Sequence, residues 1–178
     1  MAAPFTIRRA ELHDIEALVR LRLELLHSAG ALHVPVKLNE EQWREVADAL
    51  TDYFSSALPS GRHYGIVAEV DGKVVACGGM VYLERPPYQG NLLGREAYLM
   101  NMYTLPAWRR QGAGTAIVGE LLKHARREGV RRVVLDAEVH ARPIYKKAGF
   151  RPNTEGMHIW LERTARKKSR PKSRKRRR

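Results

Sequence analysis

The chain has 178 residues, 44% of them hydrophobic, and a formal net charge of +13, which is length enough to bury one core without covalent staples. A single cysteine, Cys77, excludes an internal disulfide framework and a cysteine-based zinc site, and the seven histidines show no metal-ligand spacing, so no metal is implied. No apolar run approaches the ~18 residues needed to span a membrane, and MAAPFTIRRAEL lacks the charged-then-apolar pattern of a secretory signal, so a soluble cytoplasmic protein is expected.

The charge is unevenly placed. Arg163 to Arg178 holds 11 Lys or Arg and no acid, which leaves +2 for residues 1–162. A block of this kind repels itself and has almost nothing apolar to bury, so it is expected to be disordered alone. The expected organisation is a domain over 5–163 and a basic tail over 164–178.

Phe5 to Ala10 reads as a first strand. From Leu12 to His27 apolar residues recur at Ile15, Leu18, Val19, Leu25 and Leu26, a helical stripe ended by Gly30. The stretch ALHVPVKL is irregular around Pro35. Asn39 with Gln42 three residues on predicts a capping box, opening a helix to about Ser56. Two β-rich runs then flank Asp71-Gly72, a pair that accepts the positive φ values of a hairpin turn. ERPPYQGNLLGR is a loop rich in Pro and Gly, and Glu96 to Thr104 is apolar on both faces, as a central strand should be. Pro106 stops that strand. After the turn RRQGAG a helix runs to Glu128, with Ile117, Leu121, Leu122 and Ala125 inward and Gly129 closing it. RRVVLDA predicts a fifth strand, ARPIYKKAGF a short helix ending at Gly149, and GMHIWLER a last strand. The order β-α-α-β-β-β-α-β-α-β is a mixed α/β sheet, mostly antiparallel and flanked by helices, not a doubly wound parallel one.

The turn carries the chemistry. A helix N-terminus presents unpaired N–H groups and a partial positive charge, so glycines and arginines there suit a phosphate. Two familiar phosphate loops are excluded by spelling: no GxxxxGK[ST] is present, and Gly112-Ala113-Gly114 lacks a third glycine at Ile117. Alone, the turn is equally a helix start with surface arginines.

Arg109-x-x-Gly112-x-Gly114 after a central strand, followed by Tyr145-x-x-x-Gly149-Phe150, resembles the GNAT superfamily of N-acetyltransferases. The likeness runs over the element order from about Phe5 to Arg163. It implies transfer of an acetyl or other acyl group from acetyl-CoA to a primary amine, with no metal. By the same resemblance, the backbone amides of Arg110, Gln111, Gly112, Ala113, Gly114 and Thr115 hold the CoA pyrophosphate, with Arg109 adding charge. Met102, Tyr103 and Thr104 are similar to the residues that line the pantetheine arm and bond the thioester carbonyl. Tyr145 is similar to the tyrosine beside the CoA sulfur. A phenol near pKa 10 is a weaker acid than a thiol near 8.5, so a hydrogen bond to the leaving thiolate is expected, not full proton transfer.

The general base stays open among Glu24, His33, Glu84, Glu138, His140 and a water chain. Position 138 often holds Asn or Ser in this family, and Glu138 here offers a carboxylate near the thioester. Cys77, inside KVVACGGM, is expected to be inert core. The loops bearing His33, Glu84 and Tyr88 are expected to frame the acceptor. Neither loop has an acidic cluster, so a small amine of modest charge is expected in preference to a polycation. Two other readings remain. The acyl donor could be aminoacyl-tRNA, or the chain could be a non-catalytic nucleic-acid binder. In both, Arg166, Lys167, Lys168, Arg170, Lys172, Arg174 and Lys175 would grip the phosphate backbone. The protein is expected to be a monomer or homodimer.

Overall fold

The computed structural model describes residues 4–29 and 38–152. Five strands form one sheet in the order β1-β2-β3-β4-β5. They are β1 (Thr6–Arg9), β2 (His63–Val70), β3 (Lys73–Glu84), β4 (Arg95–Thr104) and β5 (Val133–Val134). The first three pairings are antiparallel and β4 pairs β5 in parallel. The helices are α1 (Ile15–Ala29), α2 (Glu40–Ala57), α3 (Ala113–Arg127) and α4 (Arg142–Lys147). The predicted element order is therefore observed from the first strand through α4. The predicted last strand over 156–163 and the basic tail lie outside the described residues. No helix among them is long and apolar enough to cross a membrane.

Local chemistry sets most boundaries. Asn39 and Gln42 exchange reciprocal 2.9 Å bonds, each side chain accepting from the other residue's backbone N–H, and so cap α2. Asp71 and Gly72 take φ values of 48° and 72° and close the β2–β3 hairpin. Gly129 ends α3 at φ 70°, with Val130 N–H donating to Ala125 O at 2.9 Å and Gly129 N–H to Arg126 O at 3.1 Å. β5 is shorter than RRVVLDA predicts, because only Val133 and Val134 find partners on β4.

The sheet is covered on both faces. One core holds Ile66, Met80, Leu99, Ile117, Val118 and Leu121, between the sheet and α3. The other holds Leu18, Leu21, Phe54, Val67, Cys77 and Tyr103, between the sheet and α1–α2. Two consecutive glycines on β3 allow close packing, one on each face. A Cβ at Gly78 would collide with Met102 and Ile117, and one at Gly79 with the His63 ring.

His63 is 2% exposed, packed edge-on to Phe54 and Tyr53, with Tyr53 Oη 3.3 Å from its Nδ1. Burial pushes its pKa down from the ordinary 6.5 to about 4. Above pH 6.5 the imidazole is neutral in both the folded and unfolded chain, and its contribution to stability is complete. Between pH 6.5 and 4 the unfolded chain binds the proton first, so stability falls as pH falls, by about 3 kcal/mol in all. Urea midpoints are expected to drop across that window, and His63→Phe to flatten the drop. Parallel profiles for the two proteins would assign the acid sensitivity elsewhere.

Candidate active site

The site begins where β4 and β5 part. Their pairing stops at Ala97↔Val133 and Tyr98↔Val134. From Leu99 to Thr104, β4 bonds to β3 on one edge and has no strand partner on the other among the described residues. Just past the last pair, Tyr98 Oη donates to Asp136 Oδ2 at 2.7 Å, tying the two chains where the ladder ends. Burial, then the Asp136 carboxylate, pushes the Tyr98 phenol up to about 12.

A bulge interrupts β4 in this open stretch. The register shifts between Cys77 and Gly79, and Asn101 takes φ 56°, a left-handed value rare for any residue but glycine. The Cys77 thiol donates to Asn101 O at 3.3 Å. Burial pushes that thiol up to about 12, so it stays protonated and is no nucleophile. The Asn101 side chain is 8% exposed, and its Oδ1 has no hydrogen-bond partner among the described residues.

The glycine turn follows at the end of β4. Pro106–Trp108 makes one tight turn, Arg109 is extended, and Arg110 and Gly112 are left-handed at φ 63° and 95°. Gly112 caps α3 without a side chain, and the first helical turn contains no acid. The leading N–H groups of α3 are thus unoccupied by any cap and aim along the helix axis. A Cβ at Gly112 would meet nothing within 4 Å, so the space in front of the turn is open. A Cβ at Gly114 would touch Ile144 Cδ1 at 3.4 Å, which shows how closely α4 packs on the helix start. From Thr115 a groove of about 320 Å³ runs between α3 and α4, lined in part by Lys123, Arg126 and Lys147.

The turn and the open strand end are also linked by side chains. Arg109 Nε donates to Thr104 O at 3.0 Å, and its guanidinium lies 5.5 Å from the Tyr103 ring centroid. Gln111 Nε2 donates to Ala107 O at 3.1 Å. Met102 is half-buried and Tyr103 buried, so their side chains build the two cores while one backbone edge has no strand partner among the described residues. Tyr145 on α4 is 8% exposed, edge-on to Phe150 at 5.9 Å, and burial raises its pKa.

Other anticipated residues are scattered. Glu138 stands before α4 with its carboxylate 3.1 Å from His140 Nδ1. Glu24 is on the exposed face of α1. Glu84 pairs with Arg95, and Tyr88 Oη donates to the buried Glu96 at 3.4 Å. Both therefore sit at the start of β4, roughly 30 Å along the strand from Thr104. They are not brought to the glycine turn. His33, Arg166, Lys167, Lys168, Arg170, Lys172, Arg174 and Lys175 lie outside the described residues. Sequence reasoning missed the Asn101 bulge, the Tyr98–Asp136 tie and Arg22. A cation on the inward stripe of α1 was the available signal for the last.

A sequence model of the "Acetyltransferase (GNAT) family" matches residues 29–150. Thialysine N-epsilon-acetyltransferase of Mus musculus is 28% identical over 162 residues, covering 87% of this chain and 88% of that protein. Glucosamine 6-phosphate N-acetyltransferase of Trypanosoma brucei brucei is 27% identical over 105 residues, covering 56% and 69%. Among solved structures, a predicted acetyltransferase with acetyl-CoA from Clostridium acetobutylicum superposes with a TM-score of 0.77 at 29% identity, covering 88% of this chain and 96% of that one. A GCN5-related N-acetyltransferase from Ralstonia eutropha does so with 0.74 at 25% identity, covering 88% and 98%.

Proposed function

The chain belongs to the acetyltransferase (GNAT) family and is an acyltransferase, and from that premise we propose that it transfers an acetyl group from acetyl-CoA directly to the primary amine of a small molecule. The observation that carries this reading is the uncapped start of α3 behind Gly112, next to a strand with one free backbone edge.

In this reading the backbone amides from Arg110 to Thr115 bind the donor's pyrophosphate, whose charge the helix dipole favours. Arg109 contributes chiefly by bracing the turn against Thr104 O and Tyr103. The cationic groove between α3 and α4 receives the donor's outer phosphate. The free edge of β4 beside the bulge holds the thioester, and an N–H aimed at its carbonyl oxygen stabilises the oxyanion that develops during attack, by about 3 kcal/mol. The amine nitrogen bonds to the acyl carbon, the carbon–sulfur bond breaks, and the sulfur leaves as thiolate. Tyr145, kept protonated by burial, donates a hydrogen bond to that sulfur. The amine's proton passes to water in this reading. The catalytic domain of this reading spans 5–163, with the basic tail over 164–178 outside it.

Titration calorimetry with acetyl-CoA, followed by thiol release over a panel of primary amines, tests the reading. Saturable binding with amine-dependent thiol release is expected. Absence of both would overturn it and direct the search to aminoacyl-tRNA.

A further inference from the structure

Arg22 does not fit its surroundings as a structural residue. It follows Leu18 and Val19 by four and three positions, and those are 3% and 8% exposed, so it lies on the stripe of α1 that faces the sheet. Yet it is a cation, half-buried, and among the described residues it has no hydrogen-bond or ion-pair partner. By contrast, Arg8 on β1 is held by Asp14 at 2.7 Å and by Glu69 at 2.6 Å. Arg20, two positions away, donates to Val74 O at 3.3 Å.

The stripe that Arg22 shares packs against Cys77 on β3 and Tyr103 on β4, with Phe54 and Tyr53 of α2 alongside. Cys77 and Tyr103 are a register pair at the edge of the Asn101 bulge. Desolvation lowers the guanidinium pKa, with no carboxylate among the described residues paired to it, the mark of a cation that costs folding energy. Asn101 itself is buried in β4, and its Oδ1 has no partner among the described residues. A half-buried cation on α1 is therefore carried across β4 at the bulge, beside the strand edge where the acyl group would be presented.

We propose that Arg22 binds an anionic group of the acceptor, so that the substrate is a small primary amine that also carries a carboxylate or a phosphate. This rests on the acetyltransferase reading above and adds the acceptor's charge to it. The anion supplies a counter-charge that no described residue gives, and its charged hydrogen bonds form in a partly dry site where they are strong. A polyamine is disfavoured, because a second cation would meet Arg22 with no acid paired to it among the described residues. The acceptor nitrogen reaches the bulge while its anion stays on α1, which fixes the molecule's orientation as well as its affinity.

The test uses matched amines: an ω-amino acid against its methyl ester, glucosamine 6-phosphate against glucosamine, and spermidine as a polycation. Each is assayed with the full-length chain, Arg22→Met and Arg22→Lys. The wild type is expected to favour the anionic member of a pair by roughly 10- to 100-fold in kcat/KM. Arg22→Met is expected to abolish that preference, chiefly through KM, and Arg22→Lys to restore part of it. The carboxylate and phosphate pairs separate the two possible anions. Arg22→Met is also expected to raise the melting temperature, because an unpaired charge on an apolar stripe is replaced by an apolar side chain. An arginine with a merely structural role would give the opposite sign.

Acetyl-CoA affinity, measured by calorimetry on each variant, keeps the two ideas apart. Loss of donor binding in the wild type would sink the acetyltransferase reading. Intact donor binding with equal use of charged and neutral amines, or an anion preference that survives Arg22→Met, would sink this one. Thermal shifts by the same amines without donor extend the test to a protein that does not turn over. A shift specific to the anionic members and missing from Arg22→Met supports the proposal, and its absence from the wild type overturns it.

Discussion

Gly112→Val is expected to weaken acetyl-CoA binding by about 100-fold or more while leaving the chain folded. At φ 95° a β-branched residue is strained, and the left-handed backbone costs about 1–2 kcal/mol for a side chain other than glycine. Strain alone would lower stability without touching the donor. The further effect comes from direction: the new Cβ projects into open space, where nothing lies within 4 Å, in front of the unbonded N–H groups of α3. Displacing an anion from one or two of these charge-assisted bonds accounts for the expected loss. Gly72→Val is the control, because Gly72 has φ 72° and equally open space in a hairpin turn that is not part of the helix start. Both variants are expected to lose stability, and Gly112→Val alone to lose the donor in a calorimetric titration. Equal donor affinity in the two would mean that the turn does not hold the anion.

Tyr145→Phe is expected to lower kcat by about 100-fold and to change acetyl-CoA affinity by less than about threefold. The ring keeps its edge-on contact with Phe150, so packing is conserved and only the hydroxyl is lost. Burial raises the phenol's pKa, so the hydroxyl is a donor through the neutral range. Its contribution is present below the raised pKa and fades as pH rises through it. Wild-type activity should therefore carry an alkaline limb that the variant lacks. A kcat within threefold of wild type would return Tyr145 to the core.

Much of the fold is legible along the chain because its signals are local. Asn39 with Gln42, Asp71 with Gly72, and Gly129 after the last turn of α3 each act through bonds or φ values within a few residues. The glycine turn is legible for the same reason: its backbone conformation and its place at a helix start are set by adjacent residues. That Glu84 and Tyr88 lie at the far end of β4 from the glycine turn was not legible, because a loop's spelling does not say which end of a strand it joins. β4 runs from that loop towards the glycine turn, and its ten residues separate the two.

By itself the sequence determined the element order through α4, the hairpin, the capping box of α2 and the glycine turn at the start of α3, all consequences of short-range sterics and hydrogen bonding. Only the tertiary structure decided where β4 leaves β5, that Asn101 takes a left-handed bulge, and that the α1 stripe bearing Arg22 packs against Cys77 and Tyr103 with no ion-pair partner for Arg22 among the described residues. Those depend on which distant segments pack together. A cation on a helical stripe has no meaning until the sheet beneath it is known.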